Sequence, residues 1–149
     1  MEKLNNHSLF LLSLNRFCYD VGRIISKKYH LTVNERNALI LLSNIEISSV
    51  KDLSGYLSIS KTNTSKVLSS LEKKSLLIRI FDRKDKRFIQ LLLTEQGKLT
   101  SDQVAGEINE LLRERISQIP GELGERVKIF IDENQEFINY YSFKSTNQR

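Results

Sequence analysis

The chain has 149 residues, of which 40% are apolar and 28% are charged, and its formal net charge is +5. This composition is that of an ordinary globular protein and excludes a disordered chain. No run approaches the roughly 18 to 20 apolar residues of a membrane span, and the start lacks a basic leader and a cleavage site, so we expect a cytoplasmic protein with no membrane partner.

Sulfur and imidazole side chains are too few to form a crosslink or a metal centre. The single cysteine, Cys18, cannot form an intramolecular disulfide, and the two histidines, His7 and His30, make no zinc-ligand cluster. The chain also lacks a nucleophile elbow, a phosphate loop and an HExxH motif. We therefore expect no metal, no cofactor and no catalytic residues, and so a protein that is not an enzyme.

A long helix is predicted first, from about Ser8 to Lys28. Its apolar residues recur at spacings of three and four and cover more than half of its circumference. A helix of this kind must be covered on two sides, and a chain of this length has few elements to spare. Part of the cover is therefore expected from a second subunit.

Three shorter helices are predicted next from their capping residues. Thr32 and Glu35 are spaced as a capping box and open the second helix. Ser49 caps a third helix of sequence VKDLSGYL. After the turn SIS, Ser60 is placed to cap a fourth helix, which runs from Lys61 to about Lys74.

A hairpin and two further helices complete the predicted elements. The segments Ile78–Phe81 and Phe88–Leu93 are rich in β-branched and aromatic residues, and the polar run DRKDKR between them is typical of a hairpin loop. Thr94 caps a long helix that ends near Ile116, and Pro120 breaks the chain before a last helix. The last helix carries apolar residues at helical spacing: Leu123, Val127, Phe130, Phe137, Ile138 and Tyr141.

Positive charge is concentrated between Lys61 and Gly97. This segment holds nine basic and four acidic residues, and therefore accounts for the whole net charge of the chain. A basic patch on one module, beside a helix with Ser, Thr, Asn and Lys on its surface, is typical of a protein that binds nucleic acid.

Helix, helix, short turn, helix and hairpin is the order of a winged helix-turn-helix, in which one helix enters the DNA major groove and the hairpin, or wing, follows the backbone. The motif D-x-x-D-x-R at Asp82, Asp85 and Arg87 is followed by L-T-x-x-G from Leu93 to Gly97. With these motifs the chain resembles the multiple antibiotic resistance regulator (MarR) family, and the resemblance covers nearly its full length.

The resemblance implies a mainly α fold with a small β-hairpin wing, divided into two lobes. Residues 32–93 would form the winged lobe that binds double-stranded DNA, while residues 1–31 and 94–149 would supply the dimerisation lobe. It also implies a homodimer that reads a palindromic operator, usually as a repressor of transcription, and that a small-molecule effector can release.

Candidate DNA contacts lie on the fourth helix and on the wing. The polar or basic side chains of the helix are Lys61, Thr62, Asn63, Ser65 and Lys66. Asn can pair bidentately with adenine and Lys can donate to guanine, while hydroxyls suit phosphates or bases. The alternative is an ordinary solvated helix face.

The wing candidates are the basic residues Arg83, Lys84, Lys86 and Arg87, with Asp82 and Asp85 as their support. Arg87 matches the wing arginine that the family places in or beside the minor groove, and Asp85 matches the acidic residue that holds it. A carboxylate two residues away can orient a guanidinium through paired hydrogen bonds. The alternative is a solvated loop with mutual ion pairs.

Two positions depart from the family pattern. Ser75 stands where a glycine usually ends the recognition helix, and a left-handed conformation there costs serine more than glycine. Thr64 occupies an inward position that is usually apolar.

Other readings of the chain stay open. A winged helix can serve as a protein-interaction module without binding DNA. Cys18 would support a thiol-based sensor if it were reactive, but its apolar neighbours favour a buried, inert thiol. His30 is predicted to be a loop residue near the cleft where the family often binds its ligand.

Overall fold

The computed structural model describes residues 6–47, 49–81 and 89–133, and in these ranges it contains six helices and a two-stranded sheet. The helices are α1 (Asn6–Tyr29), α2 (Val33–Asn44), α3 (Val50–Leu57), α4 (Lys61–Lys73), α5 (Glu95–Ser117) and α6 (Glu122–Glu133), and the strands are β1 (Leu77–Phe81) and β2 (Ile89–Leu93). The predicted mainly α fold with a small hairpin is therefore confirmed. None of the described helices is long and apolar enough to cross a bilayer.

Side-chain caps define where four of the helices begin. Thr32 and Glu35 form the complete capping box, in which Thr32 Oγ1 accepts from the Glu35 amide at 3.2 Å and Glu35 Oε2 accepts from the Thr32 amide at 2.7 Å. Ser49, Ser60 and Thr94 each accept from the amide three residues on, at 3.0, 3.2 and 2.9 Å. These bonds satisfy amides that lack a partner in the helix, so the predicted starts are confirmed.

The core lies where α2 packs against α4, α5 and the wing. The fully buried apolar side chains are Ile25, Leu31, Ala38, Leu39, Leu53, Leu68, Leu71, Leu77 and Val104. The buried Ser101 hydroxyl donates to the Leu39 carbonyl at 3.3 Å and ties α5 to α2. One continuous core therefore packs against the inner face of α4 and leaves its outer face exposed to solvent.

The wing is closed at its base by the residues of the L-T-x-x-G motif. Strands β1 and β2 pair antiparallel, with Leu77 opposite Leu93. The Thr94 amide donates to the Leu76 carbonyl at 3.1 Å, and the Thr94 hydroxyl donates to the Ser75 carbonyl at 2.7 Å. These bonds fix where the wing leaves α4 and where α5 begins.

The structure accommodates both residues that depart from the family pattern, Ser75 and Thr64. Ser75 adopts the left-handed conformation, with a φ of 58°, as predicted for the end of the recognition helix. Thr64 is fully buried, and its hydroxyl donates to the Ser60 carbonyl at 3.0 Å. Because the hydroxyl is satisfied within the helix, Thr64 can replace an apolar residue at this position.

Candidate nucleic-acid interface

The candidate recognition helix α4 has one buried face and one polar face. Thr64, Leu68 and Leu71 are fully buried. Of the predicted contact residues, Lys61, Thr62, Asn63 and Lys66 are exposed and Ser65 is half-buried. The structure therefore places all five on the outer side of the helix or at its edge, where they are available to a ligand.

The first turn of α4 combines exposed polar side chains with the positive end of the helix dipole. Ser60 caps this turn, and Lys61, Thr62 and Asn63 are its exposed residues. Helix N-termini favour anionic groups, and the adjacent lysine adds a full positive charge. This turn can accept a phosphate while Asn63 remains free to contact a base edge.

The tip of the wing lies outside the described residues. The candidate contacts Arg83, Lys84, Lys86 and Arg87, and their supports Asp82 and Asp85, all belong to it. The described strand β1 begins four residues after α4 ends. The roles of the wing residues stay predictions.

Some of the basic residues counted between Lys61 and Gly97 form contacts within the chain, and Arg79 is one of them. The Arg79 guanidinium forms an ion pair with Glu72 and donates to the Ser69 hydroxyl at 3.1 Å, which ties β1 to α4. Its Nε is buried and has no partner among the described residues. Sequence analysis counted Arg79 as part of a surface patch, and no local pattern reveals its inward use.

The lysine at the end of α4 is also committed to an internal contact. Lys74 Nζ donates to Glu35 Oε2 and to the His30 carbonyl, each at 2.8 Å. Burial alone would raise the pKa of the Glu35 carboxyl, but hydrogen bonds from Lys74, Ser70 and the Thr32 amide hold it below its ordinary value. Glu35 is therefore a buried carboxylate that is charged at neutral pH.

Lysines without such partners remain on the outer surface of α4. Lys61, Lys66 and Lys73 are exposed and form no ion pair within the described ranges. The exposed basic surface of α4 is therefore smaller than the charge count of the sequence indicated.

Cys18 is exposed in the single chain, so the prediction of a buried thiol is wrong. The apolar neighbours in sequence suggested burial, but only one side of α1 is covered by the rest of the chain. Arg36 of α2, which the sequence analysis did not consider, lies close enough to Cys18 to interact with it electrostatically. Burial lowers the pKa of the Arg36 guanidinium, and the nearby Cys18 side chain opposes that shift.

Arg36 of α2 lies against α1. Its Nε and Nη2 both donate to Asn37 Oδ1, at 3.0 and 2.9 Å, and it has no carboxylate partner among the described residues. Its Nη1 lies 3.5 Å from where a Cβ on Gly22 would stand, so the guanidinium contacts α1. His30, which directly follows α1, is a loop residue as predicted.

Apolar side chains are exposed on α1, mostly in its first half, and on α6. On α1 they are Leu9, Leu11, Leu12, Leu14 and Tyr19, and on α6 they are Leu123, Ile129, Phe130 and Ile131. Clusters of this size on a small domain mark interaction surfaces. The other predicted apolar residues of the last helix, Phe137, Ile138 and Tyr141, lie outside the described residues.

Comparison with known proteins identifies the family of the winged lobe. Residues 31–89 match the model of the MarR family. The HTH-type transcriptional regulator SarZ of Staphylococcus aureus is 33% identical over 79 residues, which are 53% of this chain and 53% of SarZ. The chain thus spans about half the length of the curated relatives it matches. The resemblance predicted from the motifs is confirmed for this lobe.

Solved structures share the fold over most of the chain. The complex of S. aureus MepR with DNA has a TM-score of 0.66 at 19% identity, covering 91% of this chain and 99% of MepR. A Mycobacterium tuberculosis MarR family protein in complex with salicylic acid has a TM-score of 0.68 at 16% identity, covering 89% and 97%. The winged-helix fold of this chain is therefore that of MarR proteins.

Proposed function

We propose that this chain, which carries a MarR-family domain at residues 31–89, is a cytoplasmic transcriptional regulator that binds double-stranded DNA and catalyses no reaction. It would bind a palindromic operator as a homodimer and repress transcription there. The winged lobe at residues 32–93 would read the DNA, and residues 1–31 and 94–149 would form the dimerisation lobe.

The observation that carries this proposal is the polarity of α4. Its inner face is fully buried, while Lys61, Asn63 and Lys66 stand exposed on the outer face. A helix held in this way can enter the major groove without loss of core contacts. Arg87 would reach the minor groove or the backbone from the wing, with Asp85 orienting it.

The test is DNA binding as a function of salt. The chain should bind random duplex weakly, with an affinity that falls steeply as salt rises, and should enrich one palindromic sequence from a random pool. Arg87→Ala should weaken binding strongly without loss of folded protein. Absence of salt-dependent binding to any duplex would contradict the proposal.

The homodimer is supported by the exposed apolar side chains on α1 and α6. An isologous interface between two copies would cover both surfaces and place two copies of α4 about one turn of DNA apart.

A small-molecule effector is supported by Arg36. Its half-buried guanidinium has only an amide oxygen as acceptor in the described structure, and an organic carboxylate bound beside it, between α1 and α2, would neutralise it. Salicylate should then raise the melting temperature of the protein, and Arg36→Met should abolish that rise. An equal rise in both proteins would show that salicylate binds elsewhere.

The alternative function is a protein-interaction module. Ile78 and Ile80 are each about half exposed on one face of β1, and Ile78 lies opposite Leu92 of β2. An apolar wing face of this kind suits a protein partner better than a phosphate backbone. If this function is correct, neither the wild type nor Ile78→Glu should show salt-dependent DNA binding. The wild type should bind a protein partner through this face of β1, and Ile78→Glu should lose that binding.

A further inference from the structure

We propose that Lys74 and Glu35 are positioning residues, which hold the end of the recognition helix α4 against the junction between α1 and α2. By fixing that distance they would set the half-site spacing that the dimer accepts. This inference rests on the proposed DNA-binding function, and it concerns residues that contact no DNA in that proposal.

The contact joins three segments that are distant in sequence. Lys74 is the cap residue of α4, and its ammonium group bridges the Glu35 carboxylate and the His30 carbonyl, at 2.8 Å each. The same carboxylate oxygen accepts from the Thr32 amide at 2.7 Å, which starts α2. One carboxylate oxygen therefore connects the start of α2 with the end of α4.

Burial makes this contact difficult to break. The Glu35 side chain is 3% exposed, whereas Lys74 is 35% exposed. If α4 moved away, a carboxylate would remain buried without its cation, and such a group is strongly destabilising. Surface pairs such as Lys98–Glu95 and Arg113–Glu110 carry no such penalty, because water replaces the lost partner.

The contact joins two positions where a helix ends at a residue with a left-handed backbone conformation. His30 has a φ of 54° and follows the last residue of α1, while Ser75 has a φ of 58° and follows Lys74. Lys74 thus links the point where the chain leaves α1 to the point where it leaves α4. Because α1 belongs to the proposed dimer lobe, a displacement of its end relative to its partner subunit would move α4 as well.

The test uses Lys74→Met and Glu35→Gln, with Lys73→Met as the matched control. Lys73 is the neighbouring lysine, it is exposed, and it makes no ion pair in the described ranges, so its replacement removes the same charge without the contact. Affinities are measured for palindromic duplexes whose spacer is lengthened or shortened by one and two base pairs, and for random duplex.

Lys73→Met should weaken binding to every duplex by a similar factor, so the spacer preference is kept. Lys74→Met should also reduce the spacer preference. The ratio of affinities between the best spacer and the next best should fall, for example from about tenfold to about threefold. Glu35→Gln discriminates best between the two effects. Because it removes a negative charge, it should raise the affinity for random duplex, whereas loss of the contact to Lys74 should lower the affinity for the preferred duplex. Wild-type spacer preference in both Lys74→Met and Glu35→Gln would overturn the inference.

A second arm needs no DNA and separates this inference from the proposed function. Spin labels are placed at Arg23→Cys on α1 and Lys61→Cys on α4 in a Cys18→Ser background, and labelled chains are diluted with unlabelled ones. The distance distribution should broaden in Lys74→Met and Glu35→Gln but not in Lys73→Met, in samples that circular dichroism shows to be equally helical. An unchanged distribution would overturn the inference. Failure of the wild type to bind any duplex would overturn the DNA-binding function and the role in spacing, but not the positioning of α4 that the labels measure.

Discussion

At the residue scale, the base of the wing shows why the L-T-x-x-G motif ends in glycine. A Cβ on Gly97 would lie 1.9 Å from the Leu76 carbonyl oxygen and 2.9 Å from its carbon. Both atoms belong to the backbone, so a rotamer change cannot relieve the clash. The motif could be recognised in the sequence, but the reason for its glycine required the approach of α5 to Leu76.

Gly97→Ala should therefore destabilise the protein by about 1 to 3 kcal/mol, since the first turn of α5 must move away from the wing. Gly106→Ala is the control, because nothing lies within 4 Å of its added Cβ and alanine favours the helix by roughly 0.5 to 1 kcal/mol. In chemical denaturation, the free energy of unfolding should be highest for Gly106→Ala, intermediate for the wild type and lowest for Gly97→Ala. A Gly97→Ala protein as stable as wild type would contradict the close approach.

Ser75→Gly should stabilise the protein. Its φ of 58° costs a residue with a Cβ about 1 to 2 kcal/mol, part of which is offset by the greater freedom of glycine in the unfolded chain. The bond from Thr94 to Ser75 uses the backbone carbonyl and is kept. Ser117→Gly, at the right-handed end of α5, should lose stability in the same denaturation series. Loss of stability in Ser75→Gly would show that the serine side chain has a role of its own.

Glu35 should make stability depend on pH. Its carboxyl has a folded-state pKa below the ordinary value of 4.5, so its contribution is present above that value and is lost as the pH falls through the lower, folded-state value. The deficit of Glu35→Gln relative to wild type should thus be full at pH 7 and should shrink below pH 4.5. Denaturation curves of both proteins between pH 7 and pH 3 measure this, and a constant deficit would contradict it.

At the scale of the elements, the features that depend on near neighbours were predicted well. The bounds of α3 and the caps at Thr32, Ser60 and Thr94 follow from hydrogen bonds that span three residues. The partners of Lys74 and Arg79 could not be predicted, because the contact from Lys74 to Glu35 spans 39 residues and depends on how α2 packs against α4. Charge counts in a sequence cannot separate such residues from those that face a ligand.

The recognition helix should separate base reading from phosphate binding. If Asn63 reads a base, Asn63→Ala should cost about 1 to 3 kcal/mol on the preferred duplex and little on random duplex. Lys66→Ala should weaken both, and should reduce the slope of log affinity against log salt by about one unit. Titrations of both variants at several salt concentrations provide the measurement. Equal losses on both duplexes for Asn63→Ala would show that it is not a specificity residue.

At the scale of the whole molecule, the exposed apolar side chains of α1 and α6 determine the expected assembly. One face of the second half of α1 is covered within the chain, where Val21 and Ile25 are buried, but Leu11 and Leu12 in its first half are 57% and 61% exposed. The apolar periodicity of α1 predicted this need for cover. Which half would remain uncovered depended on where α2 and α5 contact the helix.

Phe130→Asp should weaken the dimer, because Phe130 is 52% exposed on α6 and burial of such a side chain contributes about 1.5 to 3 kcal/mol. Lys128→Asp is the control, since it places an aspartate at an exposed polar position of α6 and changes the charge even more than Phe130→Asp does. Analytical ultracentrifugation over a range of concentrations should show dissociation only for Phe130→Asp. Equal dimerisation of both variants would remove α6 from the interface.

The central claim is that two copies of this chain together read one palindromic duplex. Sedimentation velocity of the chain with a labelled duplex of the preferred sequence tests it directly, because mass and stoichiometry are read in one experiment. We predict a free dimer at micromolar concentration and a complex of two chains for each duplex. A stable monomer of 17.3 kDa that binds the palindrome tightly as a single copy would contradict the account.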